Sequence, residues 1–275
     1  MLPLILKEKI FLNILNFAAW RPCVFALNFF RNPMNNQLVY IGKDLEAMSF
    51  AVNYHKWILK EFRVFLGKNI VEVGAGTGSF SELLLKENPA SLALVEPSEM
   101  FEHLKKNLAQ IGTSTEISFY HSIFRDATDK IVEKHRPDTI IYINVLEHIE
   151  DDLLELQTIY KTLGKDGHCL IFVPALMGLY GEFDRKVGHF RRYSKKNLEA
   201  ICKSVGFEIV RSKYFDLAGI LPWFIKYKVL KSDNLSSGAV SIYDKIAVPV
   251  MKRFESLVDV PLGKNILMVV KKTED

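Results

Sequence analysis

The chain has 275 residues, a formal net charge of +4 and 25% charged residues. That is room for one full α/β domain with extensions, at an ordinary globular charge balance. The mild charge excludes the concentrated basic stripe of a nucleic-acid binder, and no run reaches the roughly 18 apolar residues of a bilayer-spanning helix. The three cysteines, Cys23, Cys169 and Cys202, are odd in number and far apart. They form neither a disulfide framework nor a metal spacing, so a reducing, cytoplasmic setting and no bound metal are expected, with all three thiols behaving as small buried apolar groups.

In chain order, residues 4–20 place Ile10, Phe11, Ile14, Leu15 and Ala18 on one helical face, and Arg21-Pro22 ends the segment. Lys7 and Lys9 before an apolar run imitate a signal peptide. Glu8, Asn13 and Asn16 interrupt that run, and no small-x-small cleavage site follows. The face either docks on the main domain or lies on a membrane surface with Lys7, Lys9 and Arg21 toward the head groups. Residues 31–43, with Asn32-Pro33, Asn35-Asn36 and Gly42, read as a loop. A helix is predicted from about Asp44 to Phe65, with Gly67 just past its end. Residues 1–43 thus form a helical extension and 44–275 the main domain.

From Lys68 onward, strands and helices alternate. Strands are predicted at Ile70–Val73, Leu92–Val95, Ile117–Tyr120, Thr139–Ile143, Cys169–Val173, Glu208–Tyr214 and Ile266–Val270, with helices at about 79–87, 98–109, 127–135, 151–163 and 195–205. The alternation implies a doubly wound, seven-stranded, mostly parallel sheet with helices on both faces. Two connections exceed what that fold needs, 174–194 and 215–264, and long insertions of this kind serve as lids. In the second, Ala239, Ile242, Tyr243, Ile246, Val250, Phe254 and Leu257 recur at helical spacing. They predict a helix packed on the core, kinked at Pro249.

The chemistry starts at the first strand. Ile70–Val73 runs into Gly74, Gly76 and Gly78, and a helical pattern follows. Glycines at alternate positions accept positive φ and let a ligand lie on the backbone. A dinucleotide turn wants G-x-G-x-x-G or -A, whereas Ser79 holds the sixth position and the third glycine comes one place early. The pattern Glu72-x-Gly74-x-Gly76-x-Gly78, with Ala75 and Thr77 between, resembles motif I of the class I S-adenosylmethionine (SAM)-dependent methyltransferases. The resemblance implies a Rossmann-like methyltransferase fold with its seventh strand antiparallel beside the fifth. It also implies SAM as cofactor, and Glu72 steadying the loop and the methionine end. Two alternatives stay open here: an NAD-dependent oxidoreductase, which Gly78 and Ser79 disfavour, and a noncatalytic scaffold of the same fold.

Glu96, followed by Pro97 and Ser98, ends the second strand about twenty residues on, where an acidic side chain accepts both hydroxyls of a ribose. After the third strand the family often has an aspartate for adenine. None stands here before Asp126, which leaves Ser122 and Ile123 as the adenine wall. Asn144-Val145-Leu146-Glu147-His148-Ile149 resembles the corresponding stretch of the ubiquinone-pathway O-methyltransferase branch. There Asn144, Val145 and Leu146 would pass beside the sulfonium, and Glu147 and His148 either reach substrate or fix the turn. Ahead of the glycines, the resemblance places Tyr54 against the methionine portion.

The first insertion carries Gly188-His189-Phe190-Arg191-Arg192-Tyr193, which looks like the G-H-x-R-R-Y segment of a bacterial methyltransferase group. His189, Arg192 and Tyr193 are the candidate catalytic residues. A histidine titrates near neutrality, and guanidinium forks suit carboxylate or phosphate. The expected partner is a small or lipid-like acceptor. Leu217, Ile220, Leu221, Trp223, Phe224 and Ile225 with Lys226, Lys228 and Lys231 suggest either peripheral contact at the inner membrane face or packing, against the N-terminal helix or against a second subunit.

Overall fold

The computed structural model describes residues 51–231 and 237–274, together with the backbone of two short strands, Phe30–Arg31 and Leu38–Val39, which pair antiparallel. The segment expected as a loop therefore contributes strand pairing. Its turn signals mask the strand propensity of Phe30 and Val39 on either side. The helix expected at 4–20, Cys23 and the helical turns expected from Asp44 lie outside the described residues.

The first helix, α1 (Val52–Phe62), continues as a tighter turn through Phe65. It buries Tyr54, Trp57, Ile58 and Phe62 at helical spacing. Ala51 before it offers no capping side chain. The carboxylate of Asp244 supplies the cap from far along the chain, accepting from the amides of Asn53 at 3.0 Å and Tyr54 at 2.8 Å.

Seven strands follow: β1 (Asn69–Val73), β2 (Ser91–Val95), β3 (Glu116–Tyr120), β4 (Thr139–Ile143), β5 (His168–Pro174), β6 (Glu208–Phe215) and β7 (Asn265–Lys271). They form one sheet in the order β3-β2-β1-β4-β5-β7-β6. The first five run parallel, and β7 inserts antiparallel between β5 and β6. Buried on both faces, β2 and β4 need the apolar runs that their sequences show, and β1 carries one apart from the buried Glu72. One face packs α4 (Phe124–His135), α5 (Asp152–Thr162) and α7 (Lys195–Val205) through Phe124, Ile131, Leu156, Ile159, Leu198 and Cys202. The other packs α1, α2 (Ser81–Leu85) and α3 (Met100–Leu108) through Trp57, Phe62, Leu84, Leu104 and Leu108. Cys169 and Cys202 are buried free thiols.

The two insertions meet over the carboxyl ends of the strands. The first holds α6 (Glu182–Lys186). The second holds α8 (Ile220–Trp223), which widens into a π-turn over Phe224–Val229. Phe183 and Val187 pack against Trp223 and Tyr227, and Lys228 Nζ donates to the Tyr180 carbonyl at 2.8 Å. Helix α9 (Ser237–Glu255) follows, and passes through Pro249 without ending. The expected apolar stripe is not its packing face. Ile242, Ile246, Val250 and Phe254 are exposed, while Val240, Tyr243, Asp244, Val248 and Met251 face the core. Polar side chains decide the rotation: Asp244 caps α1, and Glu255 accepts from the amides of Asp216 and Leu217. Among the described residues no helix is long and apolar enough to cross a membrane.

Candidate active site

Strand order reverses between β1 and β4, and ligands of open α/β sheets bind at the carboxyl ends beside that point. The glycine turn sits there, with φ of 70° at Gly74, 55° at Gly76 and 90° at Gly78. The amides of Gly74 and Ala75 both donate to the Val95 carbonyl, which pins the turn to the end of β2. A Cβ on Gly74 would lie 2.4 Å from Val145 Cγ2, so only glycine lets the turn and the β4 end come together. Gly78 serves packing instead: a Cβ there would lie 3.0 Å from Leu104 of α3.

Two buried carboxylates flank the turn. Glu96 accepts from the Gly76 amide at 2.7 Å and the Ser98 amide at 2.9 Å. Glu72 accepts from Ser81 Oγ at 2.5 Å. Burial, and then the neighbouring Glu96, push the Glu72 carboxyl from 4.5 to about 8.

A cavity of about 310 Å³ opens between these groups and the roof, a size suited to a small ligand. Of the sequence-predicted cofactor residues, Tyr54, Glu72, Gly74, Ala75, Gly76, Thr77, Glu96, Pro97, Ser98, Ile123, Asn144 and Val145 line it. Gly78, Ser122 and Leu146 do not, and Leu146 is fully buried in the core. Asn144 holds φ of 52°, a conformation asparagine tolerates better than most residues, and this turns the chain out of β4 along the cavity wall.

Sequence reasoning missed Phe183, Val187, Trp223, Lys264 and Asn265, which also line the cavity. Lys264 stands just before β7 and Asn265 opens it. The Tyr54 hydroxyl lies 3.1 Å from both Asp216 Oδ2 and Asn265 Oδ1, and Lys264 pairs with Asp216 at 2.9 Å. No local pattern could link residues some two hundred positions apart. The only signal was Asp216 itself, an acidic residue opening an apolar segment.

At the roof end, His189 and Arg192 line the cavity, and both are tied to Asp184. His189 Nδ1 lies 2.9 Å from Asp184 Oδ1, and Arg192 donates to the same oxygen at 2.8 Å. Burial works to raise the Asp184 carboxyl, but the His189 hydrogen bond and the Arg192 charge hold it below its ordinary value. Glu147 and His148, on the turn after β4, reach the same space. Burial lifts Glu147 to about 8 and lowers His148 to about 3. Tyr193 stands behind the wall: it is buried, and its hydroxyl donates to Asp152 Oδ2 at 2.8 Å.

The chain matches a family described as a methyltransferase domain over residues 52–212, more than half its length, and it belongs to that family. No curated protein sequence matches it. Among solved structures it is similar to a SAM-dependent methyltransferase from Archaeoglobus fulgidus, at 16% identity and a TM-score of 0.52, covering 83% of this chain and 99% of that one. The N-methyltransferase NodS from Bradyrhizobium japonicum, in complex with S-adenosyl-L-homocysteine, is 13% identical at a TM-score of 0.52, over 86% and 100% of the two chains. The cyclopropane synthase MmaA2 from Mycobacterium tuberculosis is 15% identical at a TM-score of 0.52, over 80% and 84%. At such identities the likeness is one of fold.

Family membership makes SAM the cofactor and removes the oxidoreductase alternative. The residues fit SAM: positive-φ glycines leave backbone open to the cavity, Glu96 stands at the end of β2, and Glu72 is a buried carboxyl with no cation beside it among the described residues. Glu72 gives a pH test. Its raised value means the ligand-free fold loses stability as pH rises from 4.5 toward 8, where folding opposes ionisation. A cationic cofactor reverses that preference. SAM affinity is therefore expected to rise between pH 6 and 8.5, with release of about one proton per SAM at pH 7. Titration calorimetry in buffers of different ionisation enthalpy reads this directly. Glu72→Gln should remove the release, and a heat independent of buffer in the unaltered protein would refute the assignment.

Proposed function

We propose that the chain transfers the methyl group of SAM to an oxygen or nitrogen of a small or lipid-like acceptor held under the roof. The observation that carries this reading is the continuity of one cavity from the glycine turn to His189 and Arg192. Bound SAM supplies a methyl group already activated on a positive sulfur. The chain supplies alignment, an effect worth several kcal/mol. His189, its Nδ1 held by Asp184, orients the acceptor or accepts its proton. Arg192 lends positive potential from the wall, its guanidinium 4.7 Å from the Trp223 ring centroid. Tyr193 is a positioning residue that ties the β4 turn to the first insertion through Leu146 and Asp152.

The apolar roof and its outer surface favour a long apolar acceptor. Leu221, Phe224, Ile225, Val229 and Leu230 are exposed beside Lys226 and Lys231, and the exposed stripe of α9 adds Ile242, Ile246 and Val250. Apolar side chains ringed by lysines suit an anionic membrane face.

The test is His189→Ala. SAM affinity by calorimetry should stay within about twofold, while transfer of labelled methyl into cell-extract acceptors falls at least about a hundredfold, the low end for a lost base. Full transfer in the variant would remove His189 from the chemistry. Extraction of the labelled product into the lipid phase, with flotation of the protein on anionic vesicles at low salt, supports the lipid-like acceptor. A water-soluble product and a protein that never floats leave the apolar faces to packing, with a second copy read out by sedimentation.

A further inference from the structure

Of the three lysine and arginine side chains that line the cavity, two are committed to the wall and one is not. Arg125 pairs with Glu155 at 3.3 Å. Arg192 faces its own wall: Nε and Nη2 meet Asp184, and Nη1 donates to the Ala175 carbonyl at 3.3 Å. Lys264 keeps donors in hand. An ammonium carries three hydrogens, and among the described residues its one charged partner is Asp216, with Oδ2 at 2.9 Å. Three rings also stand round it, with Nζ 5.2 Å from the centroid of Tyr54, 5.6 Å from Trp223 and 5.9 Å from Tyr243. Ring faces favour a positive charge without using up its hydrogens.

The ion pair is closed at its carboxylate end and open at its ammonium end. Asp216 is fully buried, and its oxygens also accept from the hydroxyls of Tyr54 and Tyr243 and from the Gly219 amide, so one negative charge serves four donors. The Lys264 side chain is 19% exposed and lines the cavity. Backbone bonds hold it there: its amide donates to the Asp216 carbonyl at 3.1 Å, and its carbonyl accepts from the Ala175 amide at 2.8 Å. A second donor stands nearby. The indole nitrogen of Trp223 is buried and has no hydrogen-bond partner among the described residues, although the residue lines the cavity. A buried N–H left unmet is destabilising, and an oxygen acceptor relieves it.

The sheet places these donors away from the cofactor turn. Lys264 stands just before β7, two strands beyond β4, or about 10 Å across the sheet. The Tyr54 ring packs there on Phe172 of β5 and Phe215 of β6. We propose that Lys264, with the indole N–H of Trp223, binds an oxyanion of the acceptor, a carboxylate or a phosphate, and so selects an anionic amphiphile. This rests on the reading of the roof end as the acceptor site and names the acceptor's class within it. An anion gains charge-assisted hydrogen bonds from the ammonium in a cavity shielded from bulk water. A neutral head gains less, and a cationic amine at this place meets a like charge. The apolar roof takes the rest of the molecule.

Calorimetry on the full chain saturated with S-adenosyl-L-homocysteine tests this with octanoate, octyl phosphate and 1-octanol. Both anions should bind at least about tenfold tighter than the alcohol, the size of one hydrogen bond to a charged group. Inorganic phosphate should bind more weakly than octyl phosphate, and equal binding would overturn the amphiphile. Lys264→Met should bring both anions down to the octanol level, with S-adenosyl-L-homocysteine held within about twofold. Lys264→Arg should keep most of the preference. Because Lys264→Met leaves Asp216 buried without its cation, Lys264→Met combined with Asp216→Asn is made beside it and should show the same loss. Asp216→Asn alone should tighten both anions, a gain that a merely structural lysine would not give. Anions that bind no tighter than octanol, or a preference kept in either folded Lys264→Met protein, would overturn the proposal. So would a loss confined to S-adenosyl-L-homocysteine, which would give the lysine to the cofactor's carboxylate. SAM titrated into the ligand-free chain separates the two readings. SAM binding without anion preference sinks the oxyanion site alone, and absence of SAM binding sinks the methyltransferase reading, whatever the probes show.

Discussion

Gly76→Val should lower SAM affinity at least about a thousandfold, or about 4 kcal/mol, in a protein that still folds. Gly76 lies on the cavity wall with φ of 55°. A β-branched residue is a strong outlier in that region, because its Cβ crowds the following carbonyl. Relaxing the strain turns the 75–77 backbone, and the Gly76 amide then leaves Glu96, which it meets at 2.7 Å. The substitution therefore fills cavity space and moves the carboxylate that we propose for the ribose. The direct left-handed penalty is only about 1–2 kcal/mol, which a domain with two continuous cores can absorb. Gly76→Ala should fall between the two. Circular dichroism and a melting curve check folding, and calorimetry reads the affinity. A folded Gly76→Val protein with unchanged SAM affinity would move the cofactor away from this turn.

Asp184→Ala should cost about 3–5 kcal/mol, the penalty for leaving one member of a buried ion pair alone. Asp184 is fully buried and Arg192 is 5% exposed. The carboxylate takes a hydrogen bond from Arg192 Nε and an ion-pair contact from its Nη2, together with the His189 ring and the Gly181 amide that starts α6. Without it the guanidinium keeps the Ala175 carbonyl at 3.3 Å and the face of Trp223. Adding Arg192→Met to Asp184→Ala removes the orphaned charge. The pair should recover part of the loss, with a coupling of about 1–3 kcal/mol in a double-mutant cycle read by urea unfolding. Additive losses would mean that the pair does not hold the roof together.

Residues 68–214 were legible from local pattern. β1, β2, β4 and β5 are buried on both faces, so their apolar runs announce themselves, and the seven observed strands fall within a residue of the predicted bounds. The cofactor half of the site was legible for a related reason. Glu72, the three glycines and Glu96 are close in sequence, because one strand–turn–helix unit and the next strand build that wall.

The α9 stripe shows where pattern misleads. Helical spacing identified the helix, but both of its sides carry apolar residues, and hydropathy cannot choose between them. Asp244 and Glu255 choose, because each has backbone amides to satisfy on the inner side. Leu146 was assigned by position in a motif, and one residue of rotation at a strand end is enough to turn a side chain from the cavity into the core, whereas Ser122 stays half-buried outside both.

By itself the sequence determined the class of fold, the order of its elements, the glycine turn and the carboxylates around it. Each is a property of residues within about twenty positions of one another, carried by backbone conformational preference and burial. Only the tertiary structure decided what the far end of the cavity is made of. Glu147 and His148 come from the β4 turn, His189 from the first insertion, Trp223 and Lys264 from the second, and Asn265 from β7. The physical reason is chain connectivity: a parallel sheet gathers the ends of distant strands at one edge, and spacing along the chain carries no record of distance across it.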